Sequence, residues 1–173
     1  MKNAIAIALI CAMASASAFA DTKAAFTLPS GVHIKITEAT FQKKLFKVSG
    51  CTGEGTNCRI NGHTPFGSAF EIPKTYVKSI AISYQGQSYP LDTSDMYDAW
   101  GDRPLEYKGT VRYFGGKCFD TKNCQFRGLF SDAAGSFVAE WRIVNGLSNR
   151  TVLTDSNDIV NLFMQHIDPP EFE

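Results

Sequence analysis

The sequence predicts a mainly β domain of α+β type: an antiparallel sheet, arranged as a sandwich or partly open barrel, with one C-terminal amphipathic helix packed on it. Three observations predict it. Apolar and polar residues alternate along much of the chain, as where Val32, Ile34 and Ile36 interleave with His33, Lys35 and Thr37. Turn signals such as Asn61-Gly62 and Asn145-Gly146 separate the alternating runs. The final element then changes period, with Ile159, Val160, Phe163, Met164 and Ile167 on one helical stripe.

Taken in order, residues 21–30 read as an irregular lead-in ending at Pro29-Ser30-Gly31, and Val32 to Thr37 as a half-buried strand. Phe41 to Val48 is expected to be a second strand with a lysine-rich outer face, and Phe66 to Ile72 a short one closed by Pro73. Tyr76 to Tyr84 is rich in β-branched and aromatic residues, with Tyr76, Ile80, Ile82 and Tyr84 at one parity. Gln85-Gly86-Gln87 turns the chain, and Ser88 to Leu91 pairs back. Asp92 to Pro104 looks irregular, with one helical turn beginning near Ser94. Strands follow over Leu105–Phe114, Gln125–Phe130, Ser136–Val144 and Arg150–Thr154. Asp155 or Ser156 caps the helix, Asp158 sits in its first turn, and Asp168-Pro169-Pro170 stops it.

The first residues have another character. Lys2 precedes an uncharged apolar stretch from Ala4 to Met13, and small residues occupy the −3 and −1 positions of a cut after Ala20. That is the three-part plan of a secretory leader, and its short positive start suits a bacterial one. Its apolar part is shorter than the ~20 residues of a membrane span. The expected organisation is therefore a leader over residues 1–20 and a single exported β-rich domain over 21–173, in the periplasm or the medium. No membrane insertion is expected after cleavage. Seventeen basic residues balance 17 acidic ones, so there is no electrostatic footprint for nucleic acid.

Four cysteines remain beyond the leader: Cys51, Cys58, Cys118 and Cys124. An even number in an exported chain reads as disulfides. Local pairing, Cys51 with Cys58 and Cys118 with Cys124, is favoured because Gly53, Gly55, Asn57, Asp120 and Asn123 let each stretch double back. Bridges this short remove less chain entropy than the ~3 kcal/mol of a 15-residue loop, so they are expected to stiffen loops more than to hold the fold. A four-thiolate zinc site is disfavoured, because six and five intervening residues exceed the roughly two to four of zinc knuckles.

No residues stand in a catalytic, metal or cofactor pattern. The three histidines, His33, His63 and His166, are isolated in sequence. His63 is the one to watch, since it lies beside a turn and a cysteine loop. There is no serine-nucleophile signature, and Gly115-Gly116-Lys117 lacks the spacing of a phosphate loop. Asp95, Asp98 and Asp102 cluster, but turn formation explains them. The suggestive residues are potential anchors. Tyr97, Asp98, Trp100, Asp102 and Arg103 share one stretch, of the types enriched at binding hot spots. Phe119 sits inside the second cysteine loop, where a bridged loop would present it with little ordering entropy to lose.

These features point to a protein-binding domain with no catalysis and no cofactor. The expected partner is a protein, either a cell-wall hydrolase or a toxin, which makes the chain an inhibitor or an immunity protein. Alanine at Trp100 and Arg103 is expected to weaken such a complex without unfolding the domain. Other readings are a small-ligand or lipid-binding β-barrel, which needs a large apolar cavity, and a hydrolase whose residues meet only in the fold. An adhesive surface protein is a further reading, recognisable by exposed edge strands.

Overall fold

A computed structural model describes residues 21–53, 55–100, 111–130 and 135–169. The expected leader, and Asp102 and Arg103, lie outside the described residues. Ten strands and one helix are seen among them: β1 (Thr22–Thr27), β2 (His33–Thr40), β3 (Val48–Ser49), β4 (Arg59–Ile60), β5 (Thr75–Tyr84), β6 (Gln87–Leu91), β7 (Phe114–Cys118), β8 (Cys124–Phe130), β9 (Phe137–Val144), β10 (Leu147–Thr154) and α1 (Asn157–Gln165). The fold is mainly β, with two antiparallel four-stranded sheets, ordered β1-β2-β5-β6 and β10-β9-β8-β7, and the small pair β3-β4. The sheets do not close into a barrel.

Each sheet has one apolar face, and those two faces share a single core. Ile34, Ile36, Ile80 and Ile82 of the first sheet meet Phe126, Phe130, Trp141 and Ile143 of the second. All eight are at most 1% exposed. Trp141 stacks on Phe126 at 5.7 Å and meets Phe130 edge-on at 6.4 Å. Its indole N–H donates to the Asp92 carbonyl at 2.8 Å, so the largest core side chain also ties the second sheet to the chain leaving the first.

The helix covers one end of the second sheet's outer face. Val160 and Phe163 pack with Leu129 and Val138, flanked by Ile159 and Ile167. Met164, expected on the same stripe, is 64% exposed, so the buried stripe is narrower than its periodicity implied. Ser156 is the N-cap residue but makes no side-chain capping bond. Arg127 holds the helix in place. Its guanidinium lies 4.9 Å from the Phe163 ring centre and donates to Glu140 at 2.7 Å. Burial opposes the charge on Glu140, but hydrogen bonds from Arg127 and Thr151 outweigh it and hold that carboxyl below its ordinary range. The chain leaving α1 crosses β7 at Gly115, where a Cβ would lie 2.3 Å from the Ile167 carbonyl oxygen.

Several expectations are corrected. Residues 22–27 are not irregular but form edge strand β1. Phe41 to Val48 is not one strand. A 3-10 turn at Lys43–Leu45 resets its phase, so that Phe41, Phe46 and Val48 all reach a second apolar cluster while Leu45 is left exposed. Phe66 to Ile72 is not a strand either, because Gly67, Ala69 and Phe70 take φ of 95°, 45° and 65°. No helical turn begins at Ser94. Its N–H bonds the Asp92 carboxylate at 2.9 Å, and the chain then runs beside Phe66 and Tyr76. Of the strand expected over Leu105–Phe114, residues 105–110 lie outside the described residues, Val111–Tyr113 is a 3-10 turn, and β7 begins at Phe114. A bulge opposite Thr37 and Glu38 inverts β5, placing Val77 with Ile80 and Ile82 in the main core and sending Tyr76 to the second cluster.

Candidate functional site

The second cysteine loop caps the β7–β8 hairpin. Cys118 and Cys124 are directly paired across the two strands and joined as a disulfide, and Cys51 joins Cys58. Both local pairings are as the turn residues predicted. The two bridges have different settings. Cys51 and Cys58 are 8% and 0% exposed, packed with Phe41, Ile60 and Tyr97 in the second cluster. Cys118 and Cys124 are equally buried, at 8% and 3% exposure, but in the main core, and the loop they close is an exposed tip.

Within that tip, Asp120 organises the backbone. Its Oδ1 accepts from the N–H groups of Lys122 at 2.7 Å and Asn123 at 2.8 Å, and both carboxylate oxygens accept from the Asn123 amide. The hydrogen bonds from Asn123 and from the Lys122 backbone hold this carboxyl below its ordinary range. The Phe119 N–H donates to the Asn123 carbonyl at 2.8 Å, closing the turn.

Contacts from two other elements fix the tip. The β9–β10 turn is made by Asn145 and Gly146 at φ of 53° and 82°, the doubly left-handed turn that an Asn-Gly pair favours. From it, the Asn145 N–H donates to the Asn123 side chain at 3.0 Å and the Gly146 N–H to the Lys122 carbonyl at 2.9 Å. From β6 in the other sheet, the Tyr89 hydroxyl donates to the Thr121 carbonyl. A disulfide and bonds to two neighbouring hairpins thus hold a loop of only five residues between the cysteines.

Phe119 stands on this support at 61% exposure, with Val144 at 50% and Leu147 at 71%. Val144 and Leu147 are opposite each other in the β9–β10 register. Phe119 and Val144 border an opening of about 180 Å³ floored by Gln125 and Arg142. Lys117 lies 5.8 Å from the Phe119 ring centre, and Lys122 and Arg142 are exposed nearby. The result is an apolar patch at the end of the outer face that α1 leaves open, its rim carrying Lys117, Lys122 and Arg142 beside the exposed carboxylate of Asp120, with Arg142 3.2 Å from Glu140.

Of the marked residues that are described, Phe119 is the exposed one. Tyr97 is 4% exposed inside the second cluster. Burial and the nearby Asp95 charge push its phenol up to about 12. Asp98 accepts from the backbone N–H groups of Lys74 and Thr75, both at 2.8 Å, and so pins the start of β5. Trp100 packs edge-on against Phe130 at 5.4 Å and near Phe114 at 6.3 Å. Trp100→Ala therefore removes core contacts, and weakened binding in that variant would not report on a surface. Val144, Leu147, Lys117, Lys122 and Arg142 were not marked. The available signal was two apolar residues flanking Asn145-Gly146, where a hairpin tip leaves side chains in solvent.

His63 is not isolated in space: its Nδ1 lies 3.1 Å from the Asp95 carboxylate, and its side chain is 67% exposed. Among the described residues, no group of three His, Cys, Asp or Glu side chains is placed to hold a metal ion. No helix there is long and apolar enough to cross a membrane. No family model, curated protein or solved structure matches this chain.

Proposed function

We propose that this protein is an exported binding domain that blocks a cell-wall-cleaving enzyme, as its inhibitor or as the immunity partner of a toxin, and that it has no catalysis of its own. The supporting observation is Phe119, an exposed aromatic on a tip already ordered by a disulfide and by bonds to two other hairpins. Ordering entropy is one of the costs of placing a loop in a cleft, and here folding has already met it. Charge supports the choice of partner. The glycosidases that cut wall glycans carry paired carboxylates in their clefts, and Lys117, Lys122 and Arg142 surround the aromatic plug. Two disulfides fit an oxidising compartment, the periplasm or the medium, and agree with the leader over residues 1–20.

The lipid-carrier reading has less support. Phe126, Phe130, Phe137 and Trp141, all 0% exposed, fill the space between the sheets, where such a carrier would need its cavity. The His63–Asp95 contact favours a hydrolase reading, which one assay separates from inhibition. Residues 21–173 are titrated into peptidoglycan-cleavage reactions run by a panel of muramidases, lytic transglycosylases and amidases, and are also incubated with peptidoglycan alone. The expected result is stoichiometric inhibition of at least one enzyme class and no cleavage by the protein itself. Phe119→Ala is expected to weaken inhibition about 30-fold, the ~2 kcal/mol of a hot spot, with an unchanged melting temperature. Inhibition of no enzyme in the panel would overturn the reading, as would cleavage by the protein alone.

A further inference from the structure

A second opening lies on the other sheet, beside the start of β5. It measures about 210 Å³, and its lining includes Phe46, Asn61, Tyr76, Lys78, Ser94 and Asp95. We infer that this groove is a binding site for a neutral sugar ring, a second function independent of the Phe119 face.

The walls come from separate parts of the chain and are fixed before any ligand arrives. Phe46, after the 3-10 turn, and Tyr76, on β5, are half-buried rings set edge to face at 5.4 Å and 72°. Asn61 sits in a left-handed turn at φ 54°, and its side-chain oxygen accepts from the Lys47 N–H at 3.0 Å. Asp95 is itself left-handed at φ 66°, a conformation uncommon outside glycine that turns and functional sites retain. Its backbone carbonyl accepts from the Phe66 N–H at 2.9 Å, and its carboxylate meets His63 at 3.1 Å. Arg150, reaching across from β10, donates to the Ser94 carbonyl at 2.5 Å and lies 3.3 Å from the Asp92 carboxylate. The segment carrying Ser94 and Asp95 is therefore anchored to both sheets.

The lining decides the ligand class. At ~30 Å³ per molecule the volume equals about seven waters, which fits one compact ring and not a lipid chain. The aromatic rings in the lining favour flat C–H faces, and its hydroxyl, amide and carboxylate groups favour a ligand rich in hydroxyls. Both signs of charge are present, in Asp95 and in Lys78, which itself pairs with Asp21 at 2.6 Å. That balance favours a neutral ligand over an anion or a cation. A sugar ring combines apolar faces, a hydroxyl edge and no charge. On an exported domain such a site would hold the protein against a glycan.

The test is a titration of isotope-labelled residues 21–173 with soluble oligomers of N-acetylglucosamine, of α-linked glucose and of β-linked glucose, read by amide chemical shifts. At least one series is expected to shift amides of residues 61, 76–78 and 93–97 while leaving residues 117–124 unmoved. Tyr76→Ala is expected to weaken that binding at least tenfold. Asp95→Asn is the companion variant, because asparagine also accepts left-handed φ and keeps the turn while removing the charge; it too is expected to weaken binding tenfold. Absence of shifts with every oligomer would overturn the inference, as would shifts confined to the Phe119 face or full affinity in both folded variants. None of these outcomes bears on enzyme inhibition, so the two proposals fail separately.

Discussion

Trp141→Ala is expected to destabilise the domain by about 3–5 kcal/mol, the range for removing a large aromatic from a close-packed core. Trp141 is 0% exposed, stacks on Phe126 and bonds the Asp92 carbonyl. Its removal therefore opens a cavity between the sheets and also leaves an acceptor without its donor, two costs that add. Single domains have about 5–15 kcal/mol in total, so this variant should be close to unfolding at 25 °C. Urea unfolding followed by near-ultraviolet circular dichroism measures the change. A loss under 1 kcal/mol would mean that the two sheets do not share the core described. Phe119→Ala should leave the same midpoint unmoved, because its ring packs mainly against solvent.

The second large effect concerns pH. Glu38 is 2% exposed and accepts a hydrogen bond from the Thr75 hydroxyl at 2.5 Å. Burial, opposed by that bond and assisted by the Asp98 charge, raises its carboxyl from the ordinary 4.5 to about 7. The folded protein then keeps a proton that the unfolded chain has released, so stability falls as pH rises from about 4.5 to 7 and levels off above. The fall is at most about 3.5 kcal/mol, at ~1.4 kcal/mol per unit. Glu38→Gln keeps the shape and an acceptor for Thr75 but carries no titrating charge. The variant and the wild type should be equally stable at about pH 4, below the unfolded value, with the variant more stable at pH 8. Glu140 works in the opposite direction, since its lowered carboxyl contributes stability that is lost in acid, and it does so equally in both proteins. Parallel pH profiles for the two would contradict a proton on Glu38.

How much of this was readable in the sequence depended on how each segment is buried. β2 over His33–Thr37 and β9 over Trp141–Val144 alternate between core and exterior, so their pattern gave both the element and its inward residues, Ile34 and Ile36, Trp141 and Ile143. β1 is an edge strand whose Ala24-Ala25-Phe26 run barely alternates, and it read as a lead-in. β5 alternates, but an added residue in its pairing with β2 switches faces midway, and nothing in its composition marks the bulge. The stretch around Phe41, Phe46 and Tyr97 packs into a second cluster built by residues far apart in sequence, and local periodicity cannot report that. The same limit applied to the anchors. An aromatic in a loop reads alike whether it plugs a core, as Trp100 does, or faces solvent. Phe119 was readable because a loop of five residues closed by a bridge has no interior in which to bury a ring.

The central claim is that Phe119 is displayed on a tip rigid before any partner arrives. Amide 15N relaxation of residues 119–123 in the free, oxidised domain tests it without knowledge of the partner. Order parameters near ~0.85, equal to those of the flanking strands, are predicted, with a clear drop when Cys118 and Cys124 are both replaced by serine. Values below ~0.6 in the oxidised protein would contradict the claim.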